Sequence, residues 1–194
     1  MKQGHLFLFF GPSGVGKSTT IKSLLDENLD YIQIPSYTTR PIRSDDIESN
    51  ARIHVTKKEF EQLIKEDALA DWIEYSNFLY GKKKQDIQDT LDQGKTIVLD
   101  ADYRGIIPYR KLFKNSTLIL MKYQSLEDQK ERLRIGRPDI TKEEIERRHQ
   151  IGLKEMSVID NYDYVITTRS DQSPAVPASI ANEIIHAVLS KQNG

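Results

Sequence analysis

The chain has 194 residues, with 38 % hydrophobic residues, 29 % charged residues, no cysteine and a formal charge of −1. These values suit one α/β domain with small insertions; they exclude disulfides and thiolate metal sites, and they argue against a nucleic-acid partner. The longest apolar run, residues 6–10, is far shorter than the ~20 residues that cross a bilayer, so we expect no membrane span. The first residues lack the apolar stretch of a signal peptide, and we expect a cytoplasmic protein.

Short apolar runs alternate with helical periods along the chain, which predicts a parallel sheet covered by helices. The predicted strands are 5–10, 31–34, 95–100, 117–122 and 163–167. The run 96–99 is continuous and rich in β-branched residues, as is typical of a strand buried on both faces. The predicted fold class is therefore α/β, with a parallel five-stranded sheet.

Helix boundaries are marked by local signals. A hydroxyl three residues before an acid predicts a helix start, and this spacing occurs in Thr56 with Glu59, Ser125 with Asp128, and Thr141 with Glu144. Gly94 predicts a helix stop just before the strand 95–100. Apolar residues on one helical face predict a last helix over about 178–191.

Two stretches do not fit the alternation of strands and helices. Residues 36–84 contain short strands and one helical segment, and we interpret them as an inserted acceptor-binding subdomain. Residues 134–142 predict a loop between two helices, within a lid over about 134–148. Residues 1–35 and 94–194 form the core of the same single domain.

The strongest motif is Gly11-Pro12-Ser13-Gly14-Val15-Gly16-Lys17-Ser18, a G-x-x-x-x-G-K-[ST] pattern between a predicted strand and a predicted helix. Glycines let successive backbone N–H groups face phosphate oxygens, and the helix N-terminus adds positive potential. The motif predicts a three-layer P-loop fold that binds a nucleoside triphosphate. Lys17 is assigned to the β- and γ-phosphates and Ser18 to Mg²⁺. The predicted triphosphate-binding residues are Gly11, Ser13, Gly14, Val15, Gly16, Lys17, Ser18 and Thr19.

Two acids, Asp100 and Asp102, lie at the end of the predicted strand 95–100. Ligands of α/β proteins bind at the carboxyl ends of parallel strands. We therefore assign Asp100 to Mg²⁺, through water, and Asp102 to the acceptor. Solvated acids at a strand end are the alternative.

Two arginines, Arg40 and Arg43, follow a predicted strand at a spacing of three residues, with the hydroxyls of Ser36, Thr38 and Thr39 nearby. The guanidinium group is a planar fork that matches phosphate oxygens. The segment therefore predicts a clamp for a monophosphate, and solvated arginines are the alternative.

The motifs, taken in their order along the chain, resemble those of the guanylate kinase family. The resemblance covers nearly the whole chain. It rests on the phosphate loop, on 36–43, on Asp71-Trp72 to Tyr80-Gly81, on Leu99 to Asp102 with Gly105, on the arginines of 132–148, and on Asp163-Tyr164-Val165-Ile166. The resemblance implies an enzyme that uses ATP and Mg²⁺ to phosphorylate a nucleoside monophosphate, GMP.

The resemblance also implies a role for individual residues. The acceptor phosphate would be held by Arg40, Arg43 and Tyr80, and the base would be read by Ser36, Asp71 and Asp102. Lys17, Arg137 and Arg148 would be catalytic, and Arg134 would contact ATP. Because helix neighbours point about 100° apart, only one of the pair Arg147-Arg148 is expected to face the phosphates.

A base-reading carboxylate agrees with guanine as the acceptor base. Guanine offers two donors on one edge, N1–H and the amino group, and the two oxygens of one carboxylate accept both. Adenine has an unprotonated N1 at that place, which repels the acid. A base-reading carboxylate therefore favours guanine.

The chain departs from the family pattern mainly on the acceptor side. Arg52 replaces the usual tyrosine, Asp71 replaces a glutamate, Lys82 replaces a serine or threonine, and Thr168 replaces an asparagine on the adenine side. The usual G-E…G stretch is absent at 45–50. We include Arg52 and Lys82 in the predicted acceptor site, where Lys82 either donates to guanine O6 or pairs with Asp71.

Three functions stay open at this point. The first is guanylate kinase; the second is a kinase of this fold with another acceptor, such as ribose 1,5-bisphosphate, whose phosphokinase the chain also resembles around 37–40. The third, a non-catalytic binding module as in membrane scaffolds, is disfavoured because Lys17, Ser18 and Asp100 are present. The expected assembly is a monomer or a homodimer.

Overall fold

The structure is a computed structural model that describes residues 3–42, 51–75, 77–101, 103–136, 139–157 and 162–192. Three predicted site residues, Arg43, Asp102 and Arg137, lie outside the described residues, as does the divergent stretch 45–50. Their assignments stay predictions.

The described helices and strands alternate along the chain. They are β1 (His5–Phe10), α1 (Lys17–Glu27), β2 (Tyr31–Ile32), β3 (Ser36–Thr38), β4 (Arg52–His54), α2 (Lys57–Lys65), β5 (Leu69–Tyr75), β6 (Phe78–Lys83), α3 (Lys84–Asp92), β7 (Thr96–Asp100), α4 (Tyr103–Leu112), β8 (Ser116–Tyr123), α5 (Leu126–Gly136), α6 (Lys142–Ser157), β9 (Tyr164–Thr168) and α7 (Ala175–Lys191). None of the helices in the described part of the chain is long and apolar enough to cross a membrane.

The central sheet has five parallel strands in the order β2-β7-β1-β8-β9. Strand β1 lies in the middle, with β7 and β8 on either side. All residues of β1 are buried, as expected for a strand with helices on both faces. The predicted fold class and all five predicted strands are confirmed; β2 ends at Ile32, two residues before the predicted end at 34.

Alternate residues of β1 pack into two separate cores. Leu6, Leu8 and Phe10 face a cluster that includes Ile87 of α3 and Tyr109 of α4. Phe7 and Phe9 face a second cluster, formed with α1 and α7. These two clusters make the three layers of the fold, helix–sheet–helix.

A second, four-stranded sheet has the order β4-β3-β6-β5. Strands β3 and β4 are parallel, whereas β6 is antiparallel to both β3 and β5. These strands and α2 fall within 36–84, the segment predicted as an insertion. Ala70 of β5 belongs to the same buried cluster as α4, so the small sheet packs onto the core through that helix.

The predicted helix signals have the expected geometry. Thr56 and Glu59 form a complete capping box, and the hydroxyls of Ser125 and Thr141 accept from the backbone N–H three residues on. Gly94 ends α3 with φ 76°.

Two boundaries differ from the prediction. Helix α7 begins at Ala175 rather than about 178, because Pro177 lies in its first turn, where a missing N–H costs no helical hydrogen bond. The loop predicted over 134–142 is shorter, because α5 continues through Gly136 and α6 already begins at Lys142.

Candidate active site

The phosphate-binding loop connects β1 to α1, as the sequence motif predicts. Gly11 has φ 141°, and an added Cβ would lie on the carbonyl oxygen of Met121 in β8. Gly16 has φ 102°, and nothing lies within 4 Å of the place where its Cβ would be. The loop therefore needs glycine at both positions, and at Gly16 it leaves open space next to the N-terminus of α1.

Lys17 lies across this loop. Its Nζ donates to the carbonyl oxygens of Gly11, at 2.6 Å, and Pro12, at 3.2 Å. The ammonium group is therefore held at the loop by backbone acceptors. Val15, by contrast, is 2 % exposed and packs into the core, so its side chain is directed away from any phosphate.

Two side chains from elsewhere in the fold contact Ser13 of the loop. The hydroxyl of Tyr123 in β8 donates to the carbonyl oxygen of Ser13 at 3.2 Å. Arg148 of α6 donates from Nη1 to the Ser13 hydroxyl at 2.8 Å. Burial raises the pKa of Tyr123, so it stays a neutral donor near the place expected for phosphate.

Of the pair Arg147-Arg148, only Arg148 faces the phosphate loop. Its side chain is 12 % exposed, against 60 % for Arg147. Both guanidinium groups donate to Glu144, and hydrogen bonds from Arg147 and then Arg148 lower the pKa of Glu144 to about 2. Glu144 thus fixes the direction of Arg148 towards the loop.

A cavity of about 570 Å³ lies between the two sheets. Its lining includes Ser18, Ser36, Arg40, Arg52, Asp71, Tyr80, Lys82 and Asp100. Because side chains alternate along a strand, β5 presents Asp71, Ile73 and Tyr75 to this space, and β6 presents Tyr80 and Lys82. Both predicted metal residues therefore share one cavity with six of the predicted acceptor residues.

The basic wall of the cavity is formed by two arginines. Arg40 is 6 % exposed, and its backbone N–H donates to the Thr38 hydroxyl at 3.1 Å. Its carbonyl oxygen is hydrogen-bonded to His54 of β4 at 2.7 Å. Arg52 lies over the ring of Tyr80, 5.9 Å from its centroid. The backbone of Arg40 is thus held by Thr38 and His54, and the guanidinium group of Arg52 is placed by the ring of Tyr80.

Asp71 lines the same cavity and lies against helix α4. The hydroxyl of Tyr109 donates to its Oδ1 at 2.8 Å. A Cβ added at Gly105 would lie 3.3 Å from its Oδ2. Tyr109 is fully buried, and burial followed by the charges of Asp71 and Asp100 raises its pKa well above the ordinary value, so it remains a donor.

Two predicted site residues, Arg134 and Thr19, and the divergent residue Thr168 occupy less direct positions. Arg134 is 55 % exposed and lies 3.4 Å from Glu131, and it lines a separate surface cavity between α5 and α6. Thr19 is exposed on α1. Thr168 is 1 % exposed and donates to the carbonyl oxygen of Lys122, so its hydroxyl is turned into the sheet. The assignments of Arg134 and Thr19 to ATP stay predictions.

Sequence reasoning did not identify Tyr109 or Tyr123. Tyr109 lies four residues after Gly105, a spacing that places both on one helix face, and this was the available signal. The contact of Tyr123 with the phosphate loop depends on the pairing of β1 with β8, for which the sequence contains no local signal.

Comparison with known proteins agrees with this geometry. The family model for guanylate kinase matches residues 3–173. The chain belongs to the guanylate kinase family. Its members are phosphotransferases, and the alternative of another acceptor class is not favoured.

Individual relatives support the assignment over most of the chain. A guanylate kinase of Oceanobacillus iheyensis is 33 % identical over 165 residues, which is 85 % of this chain and 80 % of that protein. A guanylate kinase of Mycoplasma genitalium is 36 % identical over 171 residues, 86 % of this chain and 70 % of that protein. The crystal structure of guanylate kinase from Anaplasma phagocytophilum has the same fold, with a TM-score of 0.71 at 22 % identity, over 96 % of this chain and 87 % of that one.

Proposed function

We propose that this chain transfers the γ-phosphoryl group of ATP to GMP, forming ADP and GDP. The observation that carries the proposal is the shared cavity, which is lined by Ser18 and Asp100 at the phosphate loop and by Arg40, Tyr80 and Asp71 on the small sheet. A phosphate oxygen of GMP attacks the γ-phosphorus, and the bond to the β–γ bridging oxygen breaks as ADP leaves. Catalysis of this step requires positioning and charge neutralisation rather than a covalent intermediate.

The donor side is formed by the phosphate loop. Backbone N–H groups around Gly16 and the N-terminus of α1 face the triphosphate, and Lys17 moves from the loop carbonyls to the β- and γ-phosphates. Ser18 and Asp100 offer the hard oxygen donors that Mg²⁺ prefers, and they line the same cavity. When bound, the ion neutralises charge on the phosphates.

No group of three or more His, Cys, Asp or Glu side chains able to hold a metal occurs in the described part of the chain. This agrees with Mg²⁺ held by few protein ligands together with water and phosphate.

The acceptor side is formed by the small sheet. Arg40, Arg52 and Tyr80 offer donors to the GMP phosphate, and Arg43 is predicted to join them. Ser36 and Asp71 face the base, and Asp102 is predicted to do so as well. The carboxylate of Asp71 accepts from guanine N1–H and the amino group, which no other common nucleobase offers on one edge.

The predicted lid, about 134–148, includes the end of α5 and the first part of α6. Arg148, held between Glu144 and Ser13, stabilises the negative charge of the transferring group, and Arg137 is predicted to assist it. Closure over the phosphates excludes water, which would otherwise hydrolyse ATP.

Coupled ADP release tests the proposal. With ATP and Mg²⁺, we expect turnover with GMP and deoxy-GMP, and background rates with AMP, CMP, UMP and ribose 1,5-bisphosphate. Asp71→Asn should reduce kcat/KM for GMP by about 10- to 100-fold, because the amide cannot accept both donors.

Glu74→Gln is the matched control, because Glu74 lies on the same strand with its side chain on the opposite face. An enzyme inactive with GMP but active with another acceptor would refute the proposal. Asp71→Asn with wild-type kinetics would refute the base-reading role of that acid.

A further inference from the structure

Strand β8 continues past the end of β1 and borders the phosphate loop. The backbone of β8 is so close to the start of the loop that a Cβ added at Gly11 would lie 2.0 Å from the carbonyl oxygen of Met121. Two residues further along both segments, the hydroxyl of Tyr123 donates to the carbonyl oxygen of Ser13 at 3.2 Å. The loop is therefore held against β8 at two points, first by backbone and then by a side chain.

The Tyr123 side chain is built into this part of the fold. Its ring packs against the apolar cluster that Phe7 and Phe9 form with α1 and α7, and burial raises the pKa of its hydroxyl, which therefore remains a donor. On the loop side, a Cβ added at Gly14 would lie 2.9 Å from this hydroxyl and 2.9 Å from Cδ2 of Leu133 in α5. The space between loop, β8 and α5 is thus filled, and the hydrogen bond to Ser13 depends on glycine at position 14.

The bond from Tyr123 fixes the orientation of one peptide group of the loop. The peptide between Ser13 and Gly14 is trans, so its C=O and its N–H point in opposite directions. Because the carbonyl oxygen is held at Tyr123, the Gly14 N–H is directed away from β8. Among the described residues this N–H has no hydrogen-bond acceptor, and Gly14 is exposed. Such an N–H in a phosphate-binding loop is available to a phosphate oxygen.

Within the described part of the chain, two side chains donate to backbone carbonyls of this loop, and they differ in what happens when a triphosphate binds. Lys17 donates to the carbonyl oxygens of Gly11 and Pro12, and the proposed function requires it to turn to the phosphates. Tyr123 can stay in place, because it approaches from β8, on the side opposite to the Gly14 N–H. Its bond therefore persists in the complex with the nucleotide.

We propose that Tyr123 is a positioning residue for the donor phosphates: its hydroxyl holds the Ser13 carbonyl towards β8, so that the Gly14 N–H is preorganised to donate to the triphosphate. This inference rests on the donor half of the proposed function and is independent of the identity of the acceptor. A preorganised donor gains affinity because the loop loses less conformational freedom when the ligand binds. Tyr123 acts through the loop in this role and does not itself touch ATP.

Tyr123→Phe tests the inference, because it removes the hydroxyl and keeps the ring in its apolar cluster. Isothermal titration without an acceptor should give a Kd for ATP with Mg²⁺ that is raised about 3- to 10-fold, the range for loss of one neutral hydrogen bond. In turnover, the KM for ATP should rise by the same factor. The KM for GMP should stay within about twofold of the wild-type value, because the acceptor groups lie on the other sheet.

The amide signal of Gly14 provides a readout that packing alone would not change. The chain contains 10 glycines, so labelling glycine with ¹⁵N gives a small set of amide signals. In wild type, ATP with Mg²⁺ should move the Gly14 amide proton downfield, because this N–H forms a charge-assisted hydrogen bond with the phosphates. The displacement should be smaller in Tyr123→Phe. An equal displacement in both proteins would overturn the inference.

Tyr31→Phe is the matched control. Tyr31 belongs to the same apolar cluster, and its hydroxyl donates to Oδ1 of Asn182 in α7 at 3.0 Å. The change therefore removes a hydroxyl and a hydrogen bond of similar length from a tyrosine that does not contact the phosphate loop. Its effect on the unfolding temperature should be similar to that of Tyr123→Phe, whereas its Kd for ATP should equal that of wild type.

The outcomes separate this inference from the proposed function. Wild type that does not bind ATP overturns the assignment of the phosphate loop and the inference with it. Wild type that binds ATP but does not phosphorylate GMP overturns the proposed acceptor alone, and the titration of ATP still decides the inference. A wild-type Kd for ATP in Tyr123→Phe overturns the inference alone. An equal loss of affinity in Tyr31→Phe also overturns it, because Tyr123 would then support the fold rather than the loop.

Discussion

Single side chains of the candidate site are placed by specific short contacts with neighbouring side chains. Asp71 is one methylene shorter than the glutamate usual in the family, and in this chain its carboxylate is held by Tyr109 at 2.8 Å. Arg148 is held between Glu144 and Ser13. In both cases a neighbour selects one direction for a flexible group, which lowers the entropic cost of binding a substrate.

Lys17 is the residue on which turnover should depend most. Lys17→Ala should reduce kcat by about 10²–10³-fold or more, the order for loss of one preorganised charge at the reacting group. Steady-state ADP release measures this change. Lys22→Ala is the control, because Lys22 lies on the same helix, is 75 % exposed and pairs with Asp26. A Lys17→Ala enzyme of near wild-type activity would contradict the assignment of the phosphate loop.

Hydrogen bonds at the start of a helix hold it in place, and α5 is an example. At its start, the Asp128 N–H donates to the Ser125 hydroxyl, as the sequence spacing predicts. The side-chain carboxylate of Asp128 accepts from the Ser125 hydroxyl at 2.6 Å. It also accepts from the backbone N–H and the hydroxyl of Ser170, at 2.6 and 2.9 Å. Asp128 therefore joins the start of α5 to the loop between β9 and α7, a link that the sequence does not indicate.

Acid should release this link. Hydrogen bonds from Ser125 and Ser170 lower the pKa of Asp128 from 3.8 to about 2. A carboxyl group whose pKa is lower in the folded protein than in the unfolded protein stabilises the fold at pH values above its unfolded pKa. This stabilisation is lost as the pH falls from about 4 to about 2. Asp128→Asn should lower the free energy of unfolding at pH 7 by about 1 kcal/mol and flatten this part of the acid profile.

Urea unfolding at a series of pH values measures the effect. Glu127→Gln, a change at the exposed neighbouring residue of α5, is the control and should retain the slope. An Asp128→Asn profile as steep as that of wild type between pH 2 and 4 would contradict the assignment.

At the scale of the whole molecule, donor and acceptor groups come from different sheets. The phosphate loop follows a strand of the parallel sheet, whereas Arg40, Tyr80 and Asp71 belong to the small sheet or follow its strands. Effects of residues that are far apart and share no partner are additive. Binding of the acceptor should therefore be independent of the donor lysine.

The only tryptophan of the chain provides a readout for this independence. Trp72 directly follows Asp71, is 48 % exposed and borders a second cavity of about 280 Å³ between β5 and α4. GMP binding at Asp71 should change its fluorescence. Lys17→Ala should bind GMP with a Kd within about twofold of wild type, whereas Asp71→Asn should bind it more weakly. Loss of GMP binding in Lys17→Ala would show that the two subsites are coupled.

The sequence by itself determined the fold class, the five strands, the helix starts and the phosphate loop, because each depends on residues close together in the chain: apolar runs, hydroxyl–acid pairs and one eight-residue motif. It also singled out Asp71 and Lys82 as departures on the acceptor side. Only the tertiary structure decided that Asp71 is drawn to Tyr109, and only it shows which contact holds Arg148, the arginine of the pair that the sequence predicts, at Ser13 of the phosphate loop. These outcomes depend on how a helix packs against a sheet, and such contacts join residues 38 and 135 positions apart; no local pattern encodes them.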